Sequence, residues 1–184
     1  MGAEVKRMKR MLAVLLVLGF LAFGADGAEL YRTYCASCHG EAGEGKPGVY
    51  PALDGPVGRL ATVPEGRTFL VATVLFGLEG EITQRGETYN GVMPGYGAVL
   101  SDEEVAALLN WLLSQWRNPR SGAGAKPFTP EEVARVRELG LEPKEVRELF
   151  LKVEEVMHRG QGAGHCQDHG HGQGQGRGKG KGAR

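Results

Sequence analysis

The sequence predicts a mainly α-helical fold with one small β-hairpin and a C-terminal helical hairpin. Three observations predict it. Apolar residues recur at helical spacing behind start signals at Ser101, Thr129 and Pro143. Two short strand-like segments, 82–84 and 88–90, flank Arg85-Gly86-Glu87, with glycine available for the turn. Charge and glycine are spread unevenly, which separates a folding body from two unlike ends.

The 184 residues hold 22 basic and 22 acidic side chains, a formal net charge of zero. A hydrophobic content of 41% can fill a modest core. Thirty glycines are roughly twice the usual share. Residues 1–24 carry four bases and one acid, and residues 158–184 carry five bases and one acid. The body between them, 25–157, has 13 bases against 20 acids, a net of −7. The zero average describes none of the three parts, and no nucleic-acid partner is expected.

The N-terminus reads as a signal peptide. A basic stretch ending at Arg10 precedes 13 apolar residues, 11–23, too few to span a bilayer comfortably. Ala22-Phe23-Gly24 fits a small-x-small cleavage site before Ala25, with Gly27 or Ala28 as alternatives. An uncleaved anchor is the other reading, and would leave the protein membrane-associated. Either way the body is expected outside the cytoplasm, in a periplasmic or otherwise exported and oxidising compartment.

In such a compartment paired cysteines normally form disulfides, yet Cys35 and Cys38 stand in Cys35-Ala36-Ser37-Cys38-His39. Cys-x-x-Cys-His reads as covalent attachment of a c-type haem. One turn of helix presents both sulfurs to the two vinyl groups of a porphyrin, and the adjacent His39 points at the iron from the same side. A zinc site needs further ligands at ordered spacing, and the body has none. A thioredoxin-like motif needs a surrounding βαβ pattern, which is absent.

Iron held by histidine on one side takes methionine on the other in electron-transfer proteins, which raises the reduction potential. Met1, Met8 and Met11 lie in the signal, and Met157 ends a charged helix. Met93 stands in Tyr89-Asn90-Gly91-Val92-Met93-Pro94-Gly95-Tyr96-Gly97, read as a glycine- and proline-rich loop able to approach a flat cofactor. Met93 is therefore the candidate second axial ligand, with a buried core methionine as the alternative. Ser101 then caps a helix with Glu104 completing a capping box, apolar at Val105, Leu108, Leu109, Leu112 and Leu113.

Together these residues resemble class I monohaem cytochrome c. Gly27 and Tyr31 resemble the small/aromatic pair of that family's N-terminal helix, and Leu108 and Trp111 the apolar/aromatic pair of its C-terminal helix. The resemblance implies that the two helices cross and close the core, which favours cleavage near Gly24 because loss of Gly27 would damage the crossing. Pro51, twelve residues after His39, resembles the proline whose carbonyl accepts the other ring N–H of the histidine. Gly77-Leu78-Glu79-Gly80-Glu81-Ile82, Tyr89–Met93 and Lys126–Val133 look like the long monohaem cytochrome c of Thermus-type bacteria, over about 25–157. That resemblance implies a small β-hairpin, a C-terminal helical extension wrapping the haem domain, and electron delivery to a terminal oxidase.

The residues of the extension support it. Thr129 reads as an N-cap with Pro130 at N1 and Glu132 completing a capping box, and Gly140 stops the helix. Pro143 opens a second helix with Val146, Leu149, Phe150, Val153 and Met157 on one face. These faces need a surface, and the haem domain is the nearest; a free arm that meets another protein is the alternative. The expected division is signal peptide 1–24, haem domain 25–118, linker and helical hairpin 119–158, and a disordered Gly/His/Lys-rich tail 159–184. Within the tail, His165, Cys166, Asp168, His169 and His171 form a soft-ligand cluster, against the plainer reading of a solvated tail. Cys166 can pair between chains, and the basic end can touch anionic lipid weakly.

The expected function is that of a one-electron carrier and not an enzyme, with one covalent haem c. Its partners would be redox proteins: a terminal oxidase, and an upstream reductase complex or oxidoreductase. A haem subunit of an exported oxidoreductase complex is the alternative, and a small peroxidase with an open iron position is a further one. The protein is expected to act as a monomer. Ala36, Val92, Pro94 and Tyr96 are expected to form an apolar rim where partners dock. The haem domain carries six bases and twelve acids, so steering towards an acidic partner is not expected.

Overall fold

The computed structural model describes residues 25–162. The segment 1–24, expected to be a signal peptide, and the tail beyond 162 with its expected His/Cys cluster lie outside the described residues. Among the described residues no helix is long and apolar enough to cross a membrane.

Helix α1 spans Gly27–Tyr34. Asp26 caps it, its carboxylate accepting from the backbone N–H of Ala28 at 2.9 Å and of Glu29 at 3.4 Å. A second turn, α2 (Ala36–His39), follows at once and ends at Gly40, whose φ of +82° suits glycine. Helices α3 (Pro56–Leu60) and α4 (Pro64–Phe76) both begin with proline at the first position.

Gly77 turns the chain out of α4 into β1 (Gly77–Gln84), which pairs antiparallel with β2 (Glu87–Pro94). The hairpin is much longer than the segments 82–84 and 88–90 anticipated. Only Arg85 and Gly86 form the turn, both at positive φ (56° and 82°), as a type I′ turn requires. The polar residues of β1 and β2 hide the strands from a reading based on apolar alternation.

The capping box at Ser101 is complete: the hydroxyl accepts from Glu104 N–H at 3.2 Å, and the Glu104 carboxylate accepts from Ser101 N–H at 2.8 Å. It opens α5 (Asp102–Ser114). A short α6 (Asn118–Ser121) leads to α7 (Pro130–Arg137) and α8 (Pro143–Gly162). Helix α8 therefore runs past the boundary expected at 158.

Helices α1 and α5 cross where Gly27 meets Ala107 and Trp111, with Tyr31 stacked on Trp111 at 4.8 Å between ring centroids. Both extension helices dock on the haem-domain helices, α7 against α4 and α5, and α8 against α4 and β1. Val133, Val146 and Val153 are fully buried and belong to the same apolar cluster as Tyr31, Val71 and Leu108. Phe150 lies 5.3 Å from Phe69. The free-arm reading fails because these faces find apolar partners inside the chain.

The Thr129 cap departs from expectation in one respect. Its hydroxyl accepts from Glu132 N–H at 3.2 Å, but the Glu132 carboxylate does not close the box. It receives two bonds from Arg67, at 2.8 and 2.6 Å. Arg67 also donates to the carbonyls of Lys126 and Pro127 and lies 3.9 Å over the Phe128 ring. A bidentate, half-buried guanidinium is a stronger partner for a carboxylate than one backbone N–H.

Candidate cofactor site

The turn α2 sits between two anchors. Cys35 N–H donates to the Tyr31 carbonyl at 2.9 Å, so the motif continues directly from α1. The Tyr31 hydroxyl donates to the carbonyl of Gly40 at 2.5 Å, tying the end of the motif back to the same helix. Burial raises the pKa of Tyr31, which keeps this hydroxyl a donor. Cys35 is buried and Cys38 exposed, and the two form no disulfide with each other.

His39 is buried, 8% exposed, and its Nδ1 lies 2.8 Å from the Pro51 carbonyl oxygen. A carbonyl only accepts, so Nδ1 carries the proton and Nε2 keeps its lone pair. Burial also lowers the His39 pKa, against the raising effect of that hydrogen bond, and favours the neutral ring that a metal needs.

Met93 is not in a loop. It lies on β2 directly opposite Leu78, and Leu78, Ile82 and Tyr89 are buried on the hairpin. The loop reading came from the glycines and prolines nearby, whereas hydrogen bonds to β1 hold the segment straight as far as Pro94. Gly77 makes this fit: a Cβ there would lie 2.3 Å from the Met93 carbonyl oxygen.

Cys35, Cys38, His39, Pro51 and Met93 all line one cleft, which is otherwise walled by apolar side chains such as Leu53, Leu70, Val74, Ile82 and Leu109. A Cβ on Gly91, also in that lining, would meet nothing within 4 Å, so the hairpin leaves open space at its surface. Two thiols, a neutral imidazole with a free Nε2, a thioether and a flat apolar slot fit a covalently held haem. Of the rim residues expected from the sequence, Val92 is 71% exposed but Ala36 is only 8% exposed, because it faces the core from the first position of α2.

Sequence reasoning missed two contributors. Phe150 of the extension reaches the cleft wall, and Gln84 closes its hairpin side. Phe150 was legible as part of an apolar helix face, but not which neighbour that face would meet. Gln84 carried no signal, being a polar residue beside a turn.

A haem slot of this kind on a mainly α scaffold defines a c-type cytochrome. The cytochrome c family model matches residues 24–116. The chain is 43% identical over 108 residues to cytochrome c-552 of Thermus thermophilus, covering 59% of this chain and 82% of the relative. It is 44% identical over 108 residues to a second cytochrome c-552, from a named strain of Thermus thermophilus, covering 59% of this chain and 72% of that protein. The chain belongs to the cytochrome c family, whose cofactor is covalently bound haem c, and its role is electron transfer.

Proposed function

We propose that this chain is an exported one-electron carrier of a respiratory chain that delivers electrons to a terminal oxidase. In this reading Cys35 and Cys38 would hold the haem covalently, and His39 and Met93 would be the side chains that bind its iron. The iron, alternating between Fe(III) and Fe(II), supplies the one-electron chemistry. The remaining work belongs to the protein. Pro51 holds the His39 ring in one orientation and tautomer through the 2.8 Å bond to Nδ1. Leu70, Val74 and Ile82 exclude water from the slot, and a drier site tunes the potential. Iron bound by both His39 and Met93 would have no position open to oxygen or peroxide, which argues against a peroxidase.

The observation that carries this reading is the meeting of His39 and Met93, 54 positions apart, in one apolar cleft with both cysteines. The test is an optical spectrum of oxidised protein purified from the exported fraction. Covalent haem with the weak long-wavelength band of methionine–iron ligation is expected. Covalent haem without that band removes Met93 as a ligand, and no covalent haem removes the reading. Reduction of a terminal oxidase by the purified protein checks the finer claim about its partner.

A further inference from the structure

Side chains that the haem site does not use converge beside it. Arg59 on α3, Arg85 in the hairpin turn, Arg117 after α5 and Arg120 on α6 line a solvent-open cleft of about 470 Å³. That volume lies within the range of small-ligand sites. The convergence runs against the net of −7 carried by residues 25–157. Arg117 is held by Asp54 at 2.6 Å and Arg59 loosely by Glu154 at 3.7 Å. Among the described residues Arg85 and Arg120 enter no ion pair. Four guanidiniums against two carboxylates leave a local excess of positive charge.

Two further features mark the place. Gly55, at φ +96°, lines the cleft, and a Cβ on it would lie 2.7 Å from an Arg85 nitrogen. Any side chain there would push Arg85 out of position. Gln84 lines both this cleft and the haem cleft, and its Oε1 is buried without a hydrogen-bond partner, the sole such side-chain atom among the described residues. The haem cleft itself has no cationic side chain in its lining.

We propose that the arginine cleft is an oxyanion site that takes a carboxylate or phosphate group. Guanidinium forks match the paired oxygens of either group. The oxyanion is one free in solution, taken up outside the haem cleft. The haem-loaded full-length protein provides the test. Inorganic phosphate is titrated by calorimetry against chloride at equal ionic strength, for wild type and R59Q/R120Q. Saturable binding that weakens at least tenfold in the variant establishes the site for a free oxyanion. A flat titration overturns the proposal. Phosphate binding unchanged in the variant overturns it too. R120Q alone, at an exposed side chain without an ion pair, repeats the test if R59Q unsettles α3. An unaltered haem spectrum in each variant keeps this result separate from the reading of the haem site.

Discussion

Gly27 lies so close to Trp111 that a Cβ on it would come within 2.5 Å of the Trp111 Cβ and of the Ala107 carbonyl oxygen. The α1–α5 crossing therefore depends on the absence of a side chain at one position. Gly27→Val must separate the two helices or bend one of them. Overpacking of this kind costs about 1–3 kcal/mol, and the contact with backbone places this site at the upper end. Thermal unfolding of the haem-loaded variant checks it; a melting temperature equal to that of wild type would remove the crossing from the account.

Met93→Ala should lose the long-wavelength absorption band and lower the midpoint potential by on the order of 0.1 V, a fraction of the range that axial ligands span. The reduced variant should also bind carbon monoxide. A variant with an unchanged spectrum and potential would mean that Met93 is only part of the hairpin's apolar face.

Arg117 holds Asp54 by three routes. Its Nε donates to the Asp54 carboxylate at 2.8 Å, its backbone N–H donates at 2.8 Å, and its Nη2 lies 2.6 Å away. These bonds, led by the side-chain hydrogen bond, keep the Asp54 carboxyl below its ordinary range. A depressed folded pKa contributes stability above the unfolded value of about 3.9, and that stability is lost as pH falls through the folded value. Solvent screening limits the contribution to roughly 0.5–1 kcal/mol. Denaturant unfolding between pH 6 and 2 should show a shallower acid loss in Asp54→Asn than in wild type.

Arg67 is one of two arginines, with Arg137, that tie the haem domain to the extension; its partners are Glu132, two carbonyls and the Phe128 ring. Its side chain is 16% exposed and that of Glu132 20%, between the surface and buried cases. Arg67→Ala should cost roughly 2–3 kcal/mol. Trypsin cleavage after Arg135 on α7 should accelerate in proportion; cleavage at the wild-type rate would show that the apolar contacts of α7 and α8, with the bonds of Arg137 to Asp102, Gly97 and Leu100, hold the extension without Arg67.

Asn118 is fully buried and serves three backbone groups. Its Oδ1 accepts from Gly55 N–H at 2.7 Å and Gly58 N–H at 2.9 Å, and its Nδ2 donates to the Leu112 carbonyl at 2.9 Å. Asn118→Ala leaves the N–H groups of Gly55 and Gly58 without a partner and the Leu112 carbonyl with only the Gln115 N–H, at a cost of about 2–4 kcal/mol. Asn118→Asp should be harmful too, since a carboxylate cannot donate to Leu112. Unfolding midpoints of both variants check this.

The parts of the fold legible in the sequence are those that local chemistry settles. Ser101 and Glu104 form their capping box because both partners lie within four residues. The helix faces at Val146, Phe150 and Val153 were visible as periodicity, and burial follows from it. Local signals failed where a distant group competed. Glu132 leaves its own helix start for Arg67, 65 positions away. Met93 looked like a loop residue because the residues it pairs with, around Leu78, are fifteen positions earlier and carry charge and glycine.

By itself the sequence determined the fold class, the covalent cofactor and the residue types able to hold it, because Cys35-Ala36-Ser37-Cys38-His39 is a local arrangement with few other uses. Only the tertiary structure decided that Met93 arrives on a strand, that Phe150 of the extension walls the cleft, and that Gln84 stands between that cleft and four arginines. These depend on which surfaces meet across the chain. Helix faces and strand edges state only that they need a partner; packing chooses which one.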